Sequence, residues 1–130
     1  MKINRIADLD WTFRVLTIGL GALMLFHGVH KVLNGVDFII PLLEAHNIPY
    51  AKYLSYGVYI GEVFAPILLI SGYYIRIAGA IIVFNMLVAL FLVHQEEMLT
   101  LTDYGSWSVE TPVLYLIIGL ALFLSKEPHR

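Results

Sequence analysis

The chain has 130 residues, of which 59% are hydrophobic and 14% charged, and its formal net charge is −2. A soluble domain of this size carries roughly twice that share of charge and has too little interior to hide so much apolar surface, while a disordered chain needs the opposite composition. That leaves an integral membrane protein of one domain, with no basic balance suited to nucleic acid and, with no cysteine, no disulfide, thiol catalysis or cysteine-held iron–sulfur cluster.

Four apolar stretches follow one another, and a membrane helix needs about 20 residues to cross about 30 Å of hydrocarbon. The first, about 13–33, has Arg14 at its start and His27, His30 and Lys31 near its end. It is longer than a signal-peptide core, and His27 to Lys31 is a poor cleavage site, so it reads as a retained helix. Phe38 to Glu44 is too short to span and too apolar to be solvated. Pro41 can open a short helix there and Asn47-Ile48-Pro49 can end it, which predicts an interfacial or re-entrant piece lying over the bundle.

The second stretch, about 53–74, contains Glu62. Pro66, four residues on, removes the N–H that would bond the Glu62 carbonyl, which predicts a kink with a carboxylate and a free carbonyl at one point. Gly57, Gly61 and Ala65 form a ridge of small residues that lets a neighbouring helix approach. Gly72-Tyr73-Tyr74 marks a tight turn into the third stretch, about 75–94. Asn85, in its middle, reads as interhelical glue; on an ideal helix it stands about 180° from His94, so the two are not expected to share a cavity. Residues 95–108 are polar, with Tyr104 and Trp107 at headgroup depth. The fourth stretch, about 109–125, opens on a helix signal, Ser108 followed by Glu110 and Pro112. The expected fold class is all-α, a four-helix transmembrane bundle with a short interfacial segment between helices 1 and 2, forming a single integral membrane domain over 1–130.

Lys2, Arg5, Arg14, Arg76, Lys126 and Arg130 fall on one side of such a bundle, and only Lys31 and Lys52 on the other. The positive-inside rule then places both termini in the cytoplasm. With that topology His27, Lys31, Glu62, His94 and Glu110, scattered along the chain, all lie toward the opposite leaflet. An ionisable side chain in hydrocarbon costs at least a few kcal/mol, so this convergence marks a candidate site. His27, His30 and Lys31 share one helical face, and Glu62 is the residue least explicable as structure.

The order of these residues resembles the DoxX family of small bacterial membrane proteins. Arg14 and then Leu25-Phe26-His27-Gly28-Val29-His30-Lys31-Val32 with Gly35 resemble its first helix. Glu62 followed by Gly72 and Arg76 resembles its second, Met86 with Ala89 and His94 its third, and Trp107-Ser108-Val109-Glu110 leading into Tyr115 its fourth. Asn47-Ile48-Pro49 stands where the family has Gly-x-Pro, without the glycine. The resemblance implies a four-helix fold in the bacterial cytoplasmic (inner) membrane and makes His27, Lys31, Glu62, His94 and Glu110 the functional positions. One branch of the family is associated with thiosulfate:quinone oxidoreduction; this chain has no basic cluster to hold a sulfur oxyanion.

The expected function is that of a quinone-reactive subunit of a membrane oxidoreductase complex. A quinone needs an apolar slot reached from lipid, donors to its carbonyls and a titratable group. Glu62, His27 and Lys31 are the candidates for the chemistry; His94, Glu110 and Tyr59 are candidates for holding the ligand, with Tyr56 and Phe64 beside it. The alternative is a non-catalytic accessory or assembly subunit that docks another membrane protein. His27 and His94 could ligate haem, or join Glu62 and Glu110 around a divalent metal, but the dense spacing of a metal site is missing, so neither metal nor tightly bound cofactor is expected. A transporter would need repeats or paired broken helices, which are absent. The expected partners are the lipid bilayer, a quinone and membrane or peripheral proteins, with no nucleic acid.

Overall fold

The structure, a computed structural model, describes the backbone of residues 2–126 and the side chains of residues 11–126. The charges of Lys2 and Arg5, and all of Arg130, on which the orientation partly rests, lie outside those residues. All the regular structure described is helical, apart from an isolated bridge between Leu101 and Trp107. Helix α1 runs Lys2–Asn34, α2 Ile39–Ala45, α3 Ala51–Ser55, α4 Ala65–Ser71, α5 Ile75–Leu92 and α6 Glu110–Leu124. Three stretches, Trp11–Asn34, Ala51–Ser71 and Ile75–Leu92, are long and apolar enough to cross a membrane; α6 is an apolar helix of 15 residues.

Backbone chemistry sets the limits. Between Lys2 and Thr12 no glycine or proline interrupts the helix, so α1 begins well before the expected residue 13. Gly35, with φ +82°, ends it. The second span runs 51–71 rather than 53–74, because Tyr50 turns left-handed at its start (φ +58°) and Gly72 at its end (φ +81°). Ser108 does not cap α6. Its hydroxyl instead accepts a hydrogen bond from Thr100 at 2.8 Å, and Val109 stands at the helix start without a side-chain cap.

The expected break at Pro66 takes a definite form. Residues Ile60–Phe64 make one turn of π-helix, in which the Ala65 N–H reaches back to the Ile60 carbonyl, and α4 then starts with Pro66 in its first turn. Pro66 has no N–H to offer the Glu62 carbonyl and its ring would crowd that oxygen, so the chain widens by one residue instead. The released Glu62 carbonyl lies against Gly28 of α1, where a Cβ would stand 2.0 Å from it.

Glycines mark the other close approaches. A Cβ on Gly61 would meet the Asn85 side chain at 2.4 Å, and one on Gly79 would meet the Gly119 carbonyl at 2.6 Å, so α5 lies tightly between the second span and α6. Gly57, expected in the same ridge as Gly61, is exposed and faces only its own turn. Leu20, Met24, Ala65, Leu69, Ala78, Ile82, Met86, Tyr115 and Leu122 fill the core between the helices. Outward the surface is apolar, with Phe26, Phe84, Ile77 and Leu114 more than half exposed; in water such a belt would drive association, and in lipid it is solvated.

One end of the bundle gathers α1 at the level of Arg14, the turn between α4 and α5 and the end of α6. There Arg14 donates to the Ile70 carbonyl at 3.2 Å, and Arg76 donates to the Phe123 carbonyl at 3.0 Å. The helices therefore alternate in direction, and Lys31, His94 and Glu110 all lie toward the opposite end.

Candidate functional site

Glu62 lies in the middle of the π-turn and is 6% exposed. One carboxylate oxygen forms an ion pair and hydrogen bond with Lys31 Nζ of α1. The other accepts from Asn85 Nδ2 of α5 at 3.4 Å. A single carboxylate thus ties the second span to two neighbours. Lys31 is held from behind as well. Its carbonyl accepts the Tyr59 hydroxyl at 3.0 Å and the Gly35 N–H at 2.8 Å, which closes the end of α1. Among the described residues no buried side-chain nitrogen or oxygen lacks a partner, so the charges are accommodated as buried groups must be.

Beside this pair is a cavity of about 250 Å³. His27, Lys31, Glu62, Asn85, His94 and Tyr115 supply most of its polar lining, with Ser55 and Thr111; Met24 and Met86 lie among its apolar walls, and Phe38, Ile39, Leu42 and Leu43 cover it from α2 and the residue before it. The short segment between the first two helices therefore does lie over the others, as its composition predicts. The ring of His27 meets that of Tyr115 edge-on at 6.3 Å, and His94 Nδ1 pairs with Glu97 Oε2 at 2.9 Å.

Four of the six expected site residues, His27, Lys31, Glu62 and His94, meet at this cavity. Glu110 does not line it. As the first residue of α6 it is exposed, and Thr111, turned about 100° further round the helix, takes the lining position. Tyr59 acts on the Lys31 backbone and does not line the cavity, nor do Tyr56 and Phe64. Tyr56 and Tyr59 stack on each other at 6.4 Å instead.

Asn85 and His94 were not expected to share a cavity, and both line this one. Ideal helix geometry does not reach His94, because α5 ends at Leu92 and His94 has left the helical conformation, with φ −108° and ψ +13°. Sequence reasoning also passed over Asn85, Thr111, Pro112 and Tyr115 as lining residues. Asn85 carried a usable signal, a polar side chain in the middle of an apolar span. Among the described residues no three His, Asp or Glu side chains are grouped to hold a metal ion.

A family model described as DoxX matches residues 14–95. That stretch holds α2, the second span, α5, His94 and α1 from Arg14 onward, and so every side chain bonded to Glu62; α6 lies beyond it. No curated protein and no solved structure matches the chain.

Proposed function

The chain belongs to the DoxX family, and on that premise we propose that it is a single four-span domain of the bacterial cytoplasmic membrane that serves as the quinone-reactive subunit of a membrane oxidoreductase. In this reading both termini are cytoplasmic and the cavity lies in the outer half of the bilayer. α6 is the fourth span. Its 15 residues rise about 22 Å, about 8 Å short of the hydrocarbon thickness, and local thinning together with the residues that flank the helix accommodates the difference. Its glycine contact with α5 and the Arg76 bond at its end support the same depth for both helices.

The observation that carries the reading is the Lys31–Glu62 pair set in the wall of an otherwise largely apolar cavity. An apolar cavity of about 150 Å³ admits a benzene ring, so about 250 Å³ suits a substituted six-membered ring. Reduction of a quinone takes up two electrons and two protons. The electrons come from a substrate oxidised on a partner subunit. Lys31 and His27 donate hydrogen bonds to the carbonyls and supply the two protons, and the Glu62 carboxylate, paired with Lys31, relays their replacements. Each proton donor is then recharged from the outer aqueous side, where Glu110 stands exposed beside the cavity.

The test is a titration of purified protein with decylubiquinone, read by quenching of Trp11 and Trp107. Saturable quenching is expected, and Glu62→Gln should raise Kd at least tenfold, a loss of about 1.4 kcal/mol. Quenching that does not saturate, or an unchanged Kd in Glu62→Gln, contradicts the reading. A second reading, an accessory subunit that docks another membrane protein, draws on the loop at 98–107, where Leu99 and Tyr104 are almost fully exposed. Saturable binding by the isolated chain counts against it.

A further inference from the structure

The cavity is covered on one side and thin-walled on another. On the side of the long connections α2 is packed down by a second small core, in which Leu43 meets Ala51 and Leu92 with Ile39, Ile40, Ile48 and Val88 around them. Access from that side requires displacing this apolar plug.

The flank between α1 and α6 is different. α1 meets the second span closely at Gly21 and Gly28, and α5 meets α6 at Gly79 and Gly119, whereas α1 and α6 barely touch. What bridges their seam is the edge contact of His27 with Tyr115. Five lining side chains are exposed: His27, Phe38, Leu54, Val93 and Thr111. All but Leu54 belong to α1 and the residues just after it, or to the facing ends of α5 and α6. His27 precedes the end of α1 by seven residues, about 10 Å along the axis. Around it Leu23, Phe26 and Leu114 are more than half exposed. An opening at that depth, with those neighbours, faces acyl chains rather than water.

We propose, resting on the quinone reading above, that the cavity fills sideways from the bilayer through the seam between α1 and α6. Its ligand is a lipid-dissolved amphiphile. The flat polar head passes between His27 and Tyr115 to reach Lys31 and Glu62, and the apolar tail stays in the seam. His27 gives the head a hydrogen-bonding partner at the threshold, where a bare carbonyl would otherwise meet only hydrocarbon.

Two measurements on the full chain in lipid nanodiscs test this. In a Trp11→Phe, Trp107→Phe background, a reporter introduced as His27→Trp should be quenched by lipids brominated on their acyl chains and little affected by aqueous iodide. Quenching by iodide alone places the opening in water and overturns the proposal. Quenching by neither means that the seam is covered, by a second copy or by side-chain closure, and overturns it as well. In the second measurement, stopped-flow binding of decylubiquinone, Thr111→Phe should slow association at least fivefold, while Ile60→Phe, on the exposed face of the second span and outside the cavity lining, stays within twofold of the parent chain. The reverse order overturns the proposal. If the parent chain binds no quinone but acyl-chain quenching at position 27 persists, the lateral opening is supported and the quinone reading fails by itself.

Discussion

Gly28→Ala is expected to destabilise the protein by at least about 2 kcal/mol, at the upper end of what a single added methyl costs in a packed interior. The new Cβ would stand 2.0 Å from the Glu62 carbonyl oxygen and 2.7 Å from its carbon. Both are backbone atoms in a turn already widened by Pro66, so no flexible side chain can swing aside. α1 and the second span must separate, and Glu62 then moves off Lys31. Thermal unfolding in mild detergent should fall by roughly 10 °C for a chain of this size. Gly19→Ala is the control, since nothing lies within 4 Å of its added Cβ. A Gly28→Ala protein that melts within about 2 °C of the parent would mean that the helices are not in this contact.

The second large effect concerns the ion pair. Lys31→Met leaves the Glu62 carboxylate with Asn85 as its remaining partner. Breaking a buried pair from one side costs about 3–5 kcal/mol, because the surviving charge stays desolvated. The side chains here are 15% and 8% exposed, so most of that cost should be felt. The double variant Lys31→Met, Glu62→Met removes both charges and keeps the volume. It should recover to within about 1 kcal/mol of the parent protein and bind no quinone. Chemical denaturation and the fluorescence titration together read both halves. A double variant that still binds quinone would make the pair purely structural; a single variant that costs nothing would show that the pair is not formed.

These outcomes bear on what a sequence can disclose. The helical architecture was legible because lipid leaves the chain little choice: apolar runs near 20 residues and glycine or proline breaks between them mark spans directly. The convergence of His27, Lys31, Glu62 and His94 was legible for the same reason, since antiparallel spans of known length fix the depth of each residue. What depth does not fix is rotation about the helix axis. Glu110 and Tyr59 lie at the right level, but the turn of their helices leaves them outside the cavity lining. Asn85, read as interhelical glue, does bond across to Glu62; its place in the cavity with His94 was lost through the opposite error, an ideal helix carried past Leu92 where the chain had already turned. Pro66 announced a break in the second span, and the π-turn that results depends on where Gly28 lets the freed carbonyl rest, a tertiary fact that sequence spacing does not contain.

The most direct test of the central claim, that the cavity beside Lys31 and Glu62 holds the ligand, is photolabelling with an azidoquinone followed by peptide mapping. Label is expected on residues 24–31 of α1 and 85–94 of α5 and its end, and should be lost in the Lys31→Met, Glu62→Met protein. Label confined to the stacked tyrosines at 56 and 59, or to the loop at 98–107, would contradict the account.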